Sequence, residues 1–301
     1  MNQAISELKA AYVGDVLTKV PLAPYTYWKI GGPADILVIP SGKEQLAETL
    51  RILRRNQVPW IVLGRGSNVL VTDKGVRGAV IKLGPGLEYA RFEDRLVYAG
   101  GCYSLIKLSA LAAKNGLTGL EFAGGIPGSV GGAVYMNAGA HGSDVSRILQ
   151  QAEVLLENGE LVTMRNEDLQ YAYRHSILQR QPGIVTEAVF RLEYGDREEI
   201  ETTLRNLKEH RLRTQPLQLA CAGSVFRNPP GHYAAKLIED AGLKGLRVGG
   251  AEVSPLHANF IINTGQATAS DVIALMEQVR ETVYDRYGIS LVPEVLVVGE
   301  R

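Results

Sequence analysis

Eight glycines and Pro127 fall within the stretch Gly119–Gly142, and no other part of the chain limits its fold so tightly. Glycine loses more conformational freedom on folding than any other residue. A cluster of them belongs where the backbone must turn sharply or approach something that a Cβ would hold away. Backbone of that kind can present successive N–H groups to an anion. A glycine-rich surface loop is the plainer alternative. The spacing is not G-x-G-x-x-G, and no G-x-x-x-x-G-K-[ST] occurs, so neither a Rossmann turn nor a P-loop is present. A large phosphate-bearing ligand is the expectation.

At 301 residues the chain can form about two or three compact domains. Its 32 basic and 32 acidic residues balance, with no basic stripe. That argues against non-specific binding to nucleic acid or to an anionic membrane. Cys102 and Cys221 are too few for a disulfide scaffold or a zinc cluster. Residues Met1 to Leu17 lack signal-peptide character, and no apolar run reaches spanning length, so a soluble, cytoplasmic protein is expected. The histidines, at 141, 175, 210, 232 and 257, have no ligand spacing, and no metal is expected.

Periodicity gives the elements. Ile5, Leu8 and Tyr12 suggest an opening amphipathic helix, and Tyr25–Ile30 and Ile36–Ile39 read as strands. Ser41 and Glu44 form a capping-box pattern before a helix with Leu46, Leu50 and Leu53 on one face. Trp60–Leu63 is a buried strand that runs into Gly64-Arg65-Gly66-Ser67-Asn68. Val69–Val71 and Val76–Leu83 then read as strands where a Rossmann unit demands a helix. This is therefore a strand–turn–strand loop that could hold phosphate, or an ordinary tight turn. Two short strands, a helix over Ser104–Asn115, a hairpin at Asn158-Gly159 and a strand over Ile184–Tyr194 follow. Helices are expected from Asp196 to before Pro216, over Tyr233–Ala241 and over Ser270–Tyr287, with strands at Asn259–Asn263 and Val295–Val298.

Two polar positions draw notice. Tyr171-Ala-Tyr-Arg-His-Ser176 packs aromatic and charged groups together, and Arg174 is either a surface cation or a clamp for a carboxylate. Ala222-Gly-Ser-Val-Phe-Arg-Asn-Pro229 is a tight turn with Ser224 at its apex. Serine in such turns usually bonds its own backbone, and G-x-S-x-G is absent, so a nucleophile elbow is not supported.

Six segments taken in order resemble one family. They are Trp28–Asp35, Leu63–Val71, Gly119–Gly142, Tyr173-Arg174-x-Ser176, Ala222–Pro229 and Pro293-Glu294-Val295. The series is similar to the UDP-N-acetylenolpyruvoylglucosamine reductases, flavoenzymes of peptidoglycan precursor synthesis. It spans about Trp28 to Glu294, and the short connection from Met136 to Arg174 looks like their compact, type II branch. The sequence departs from the usual pattern at Arg227, where many relatives have lysine, and at Cys221, where a small polar residue is usual.

The resemblance implies an α+β, FAD-binding fold of the vanillyl-alcohol-oxidase type with a C-terminal α+β substrate-binding domain. Its divisions would be 1–84 (with 291–301 returning to it), 85–195 and 196–290. Non-covalent FAD would be held by Gly64, Arg65, Gly66, Ser67, Asn68, Gly125, Ile126, Pro127, Gly128, Ser129, Gly131, Gly132, Ala133 and Asn137. NADPH would be the hydride donor and a nucleotide-sugar the substrate. Arg174 and Glu294 resemble the pair that stabilises the reduced intermediate, and Ser224 resembles the proton donor. Tyr173, Arg227, Asn228, Lys236 and His257 would meet the substrate. A monomer is expected. Another oxidase or dehydrogenase of the same flavin fold, or a UDP-sugar or flavin-binding module without catalysis, stays open on the residues alone.

Overall fold

The computed structural model describes residues 1–300. The chain forms two compact units by passing repeatedly between them. The first comprises Met1–Thr18, Ile36–Arg65 and Gly78–Glu209; the second comprises Lys19–Asp35, Gly66–Arg77 and the chain from His210 onward. The units are thus interleaved in sequence.

Two sheets build the first unit. One has the order Gly14–Pro21, Pro33–Pro40, Val76–Lys82, Trp60–Leu63, the last two strands being parallel. Helices α1 (Asn2–Ala10) and α2 (Lys43–Arg55) supply Ala4, Leu8, Leu46, Leu50 and Leu53 to a core that includes Ile36, Val38, Ala79 and Ile81. The other sheet is antiparallel, in the order Leu161–Arg165, Leu149–Leu156, Gly183–Arg191, Leu96–Gly100, Ala90–Glu93. Over it lie α3 (Leu105–Lys114), capped by the Ser104 hydroxyl, and α4 (Val130–Met136), capped by Ser129. Asp196 accepts the Glu199 N–H at 2.9 Å just before α5 (Arg197–Thr214).

In the second unit a small antiparallel sheet has the order Ala220–Cys221, Ile261–Asn263, Ala251–Val253, Arg247–Val248. Helix α6 (Ala234–Asp240) and the long α7 (Ala269–Tyr287) complete it. The predicted inward face of α7 (Val272, Leu275, Met276, Val279 and Val283) is buried throughout. Each such side chain contributes about 1.5–3 kcal/mol. A Thr268–Asp271 capping box starts this helix, and Gly288 in the left-handed conformation ends it. The last strand, Leu296–Val298, lies parallel to Val69–Val71.

Four local expectations are corrected. Tyr25–Ile30 is no strand: a 3-10 turn at Ala23–Tyr25 leads into a loop closed by the Thr26 hydroxyl on the Ile30 carbonyl at 2.8 Å. Trp28 is nonetheless buried, by tertiary packing, with Nε1 donating to the Ile261 carbonyl at 2.7 Å. The Ser41–Glu44 capping box does not form, because Gly42 is the N-cap of α2 and no side chain caps it. Tyr12 is exposed, and Ala4 takes its place beside Leu8 on the buried face of α1. Finally, the glycine-rich stretch is not all loop, since α4 lies inside it.

Candidate active site

On the first unit, the loops at Gly64 and Ser129 meet. A Cβ on Gly64 would sit 2.7 Å from Ser129 Oγ, closer than two such atoms tolerate, so only glycine allows this approach. Ser129 is buried, and its hydroxyl accepts the Gly132 N–H at 3.2 Å. The N–H of Val130 goes to the Tyr103 carbonyl and that of Gly131 to the Gly101 carbonyl, both at 2.9 Å. Gly131 therefore packs closely on the sheet, where a Cβ would sit 3.1 Å from the Gly101 carbonyl oxygen, while Gly132 is exposed. Arg65 is exposed at the end of the same unit. Gly66 belongs to the second unit, where its φ of +68° and a carbonyl 2.2 Å from a would-be Cβ again require glycine.

Arg174 sits at the tip of a two-residue turn. Ala172 and His175 exchange both backbone hydrogen bonds at 3.1 Å, with Tyr173 and Arg174 between them. Arg174 has φ +55°, which a non-glycine residue adopts only at a cost of about 1–3 kcal/mol. The surroundings hold it there. Asn137 donates from Nδ2 to the Ala172 carbonyl at 3.1 Å, Gln179 from Nε2 to the Arg174 carbonyl at 3.1 Å, and the Ser176 hydroxyl to the Tyr135 carbonyl at 2.6 Å. The guanidinium lies 5.0 Å from the Tyr173 ring and donates to the Gly139 carbonyl at 2.6 Å. Asn137 is 2% exposed with both ends of its amide engaged, Oδ1 accepting from the Ser146 N–H. Its side chain supports the Arg174 turn.

The second unit joins Ser224 to Glu294. Phe226 pairs with Pro293; the Glu294 N–H donates to the Val225 carbonyl at 2.7 Å, and the Arg227 N–H to the Val292 carbonyl at 2.9 Å. Asn68 holds the other side, with Nδ2 donating to the Glu294 carbonyl at 3.1 Å and its own carbonyl accepting the Leu296 N–H at 3.1 Å. Glu294 and Ser224 are each half-buried. Arg174 belongs to the first unit.

The expected substrate residues divide. Among the described residues, Arg227 Nε is buried without a hydrogen-bond partner, which suits an anion. Tyr173 is 51% exposed at its turn. Lys236 is a surface cation paired with Asp240 at 2.6 Å, and Asn228 Oδ1 accepts the Ala234 N–H at 3.0 Å. Burial pushes the His257 imidazole below its ordinary pKa, and its Nδ1 accepts the Asn259 N–H at 3.3 Å. Sequence reasoning passed over Tyr171, whose hydroxyl is buried without a hydrogen-bond partner among the described residues. It also passed over Asn259, because a lone asparagine beside a strand carries no periodic or motif signal.

Comparison with known proteins completes the picture. Residues 34–165 match the model of an FAD binding domain, and 215–298 match the C-terminal domain of UDP-N-acetylenolpyruvoylglucosamine reductase. UDP-N-acetylenolpyruvoylglucosamine reductase 1 of Bacillus cereus is 51% identical over 300 residues, covering 99% of this chain and 100% of the relative. The chain belongs to the UDP-N-acetylenolpyruvoylglucosamine reductase family. The Bacillus subtilis reductase is 49% identical, with 99% of both chains covered. The crystal structure of the Thermus caldophilus reductase matches with a TM-score of 0.81 at 37% identity, over 94% of this chain and 98% of that one. The fold is accordingly the α+β, vanillyl-alcohol-oxidase type of the family. Its FAD-domain match contains both the Gly64 and the Ser129 loops.

Proposed function

We propose that this chain catalyses the NADPH-dependent reduction of UDP-N-acetylglucosamine enolpyruvate to UDP-N-acetylmuramate, a step of peptidoglycan precursor synthesis. The observation that carries this reading is the near-full-length identity to the reductases; the hydrogen bond from the Glu294 N–H to the Val225 carbonyl, next to Ser224, and the left-handed Arg174 turn support it. FAD, bound non-covalently, supplies hydride taken from NADPH.

The Gly64–Asn68 and Gly125–Ser129 turns are the candidates to hold FAD. Arg174 has the forked donor set that matches a carboxylate, so it answers the negative charge that hydride addition at the methylene carbon leaves on the adjacent carbon and its carboxylate. Glu294 can share that charge only in protonated form, as a hydrogen-bond donor. Ser224 passes a proton to the adjacent carbon, replaced from water, so that the double bond is lost and each carbon gains one hydrogen. A hydroxyl is a weak acid, but a carbanion-like carbon is a strong base, so placement counts for more than pKa matching. Half-buried Arg227, with Nε buried and without a hydrogen-bond partner among the described residues, suits the substrate's anionic groups. We place the protein in the cytoplasm as a monomer; its two unpaired cysteines suit a reducing compartment.

An anaerobic visible spectrum tests the reading. Bleaching of the flavin band by NADPH, followed by recovery on adding the enolpyruvyl substrate, is the expected result. Bleaching without recovery would reject this acceptor, and a colourless protein that FAD cannot reconstitute would reject the flavin site.

A further inference from the structure

We infer that Asn259 is a positioning residue for the Ser224 hydroxyl; the inference rests on the proton-donor reading of Ser224 given above. Ser224 lies on a turn with almost no regular secondary structure, directly after Gly223 at φ +75°. A weak acid on such a turn transfers its proton only if the backbone beneath it is fixed, since a misplacement of about 1 Å can cost 10²-fold in rate.

Asn259 provides much of that fixing, opposite the Val292–Glu294 segment that pairs with the other side. It is 4% exposed, and its side chain meets both backbone polar groups of Phe226. Oδ1 accepts the Phe226 N–H at 3.0 Å, and Nδ2 donates to the Phe226 carbonyl at 2.8 Å. Its own carbonyl accepts the Val225 N–H at 2.8 Å. The fourth polar group of the dipeptide, the Val225 carbonyl, takes the Glu294 N–H. One residue thus satisfies three of the four backbone polar groups of Val225 and Phe226, and through Val225 it also reaches the backbone of Glu294.

Only a side-chain amide offers a donor and an acceptor in one plane at this reach. Aspartate keeps the acceptor but turns a second oxygen on the Phe226 carbonyl, and glutamine is longer by a methylene. Asn259 is in turn held by His257, and the Ser254 hydroxyl accepts the N–H groups of Leu256 and His257 at 3.2 and 3.4 Å. None of these contacts involves a reacting atom, so the role is positional.

The test is made on the FAD-loaded enzyme with Asn259→Asp, and with Asn259→Ser as the second variant should the first not fold. Each is combined with Ser224→Ala. Stopped-flow spectra separate flavin bleaching by NADPH from reoxidation by substrate, and hydrogen–deuterium exchange reads the peptide containing residues 224–226. With Ser224 present, the Asn259 change should slow reoxidation ~10²-fold, as a displaced donor would. It should change bleaching only a few-fold and speed amide exchange at 225 and 226. In the Ser224→Ala background it should slow reoxidation no more than a few-fold, because the group it positions is gone. Equal slowing in both backgrounds, or unchanged exchange at 225 and 226, would overturn the inference while leaving the role of Ser224 intact. If Ser224→Ala by itself leaves reoxidation unchanged, the proton-donor reading falls, and the inference falls with it.

Discussion

Ser224, Arg174 and Glu294 are ordinary residue types, and what distinguishes them is how firmly their backbones are held. Arg174 is kept in a left-handed conformation by amides from Asn137 and Gln179, with its guanidinium already bonded to the Gly139 carbonyl. A guanidinium so held needs little reorganisation to meet a carboxylate. Arg174→Lys keeps the charge and loses the fork; we expect reoxidation by substrate to slow ~10²–10³-fold, as for loss of one preorganised donor, with flavin reduction by NADPH largely kept. Ser224→Ala removes the proton donor and should slow reoxidation ~10²–10⁴-fold, again with reduction preserved. Equal slowing of both half-reactions in stopped flow would contradict either assignment. Both residues were legible in the sequence only through the family motif, since an arginine in a polar turn and a serine in a glycine turn have commoner, non-catalytic uses.

Elements carry the next level of argument. The Gly64 turn and the cap of α4 are fitted to each other, so a methyl at 64 must displace Ser129 Oγ. Gly64→Ala should therefore weaken FAD binding in a fluorescence titration. Ser129→Ala alone should cost about 1 kcal/mol of stability through the lost cap. The double variant should bind FAD better than Gly64→Ala, because removing the hydroxyl relieves the clash; additive losses would refute the fit. Helices α1 and α2 make a separate, pH-dependent pair. The Arg55 guanidinium foremost, then Asn56 and Gln3, hold the Glu7 carboxyl at about 2 against an ordinary 4.5. A depressed carboxylate pKa stabilises the fold fully above pH 4.5, and that contribution is lost as the pH falls through about 2. The difference in Tm between the parent and Glu7→Gln should shrink steadily across that interval. The sequence showed these helices by periodicity, but Ser41 misled it about the cap, because a capping pattern one residue out of place looks the same on paper.

For the whole molecule, the chain's repeated passage between two compact units, at 18/19, 35/36, 65/66, 77/78 and 209/210, is the governing fact. A cofactor that binds only the folded chain stabilises it by mass action, by about 2.7 kcal/mol at a hundredfold excess over Kd. The Tm of the FAD-free protein should therefore rise with added FAD at constant protein concentration; a flat response would mean that the folded chain does not bind it.

The sequence by itself determined most of the longer elements and the buried faces of α2, α3 and α7. Helix and strand periods are local, and α7 follows them residue for residue, with its cap and its stop written into Thr268, Asp271 and Gly288. It also ruled out a Rossmann unit, because strands follow Gly64–Asn68 directly. Tertiary structure alone decided the rest. Trp28 is buried by a bond to Ile261, Asn137 and Asn68 hold the Arg174 turn and the Glu294 backbone, and Asn259 braces the Ser224 turn. These contacts join residues far apart in the chain through a few hydrogen bonds each. A side-chain amide can satisfy whatever backbone the fold brings to it, and so its role is set by the place the fold gives it.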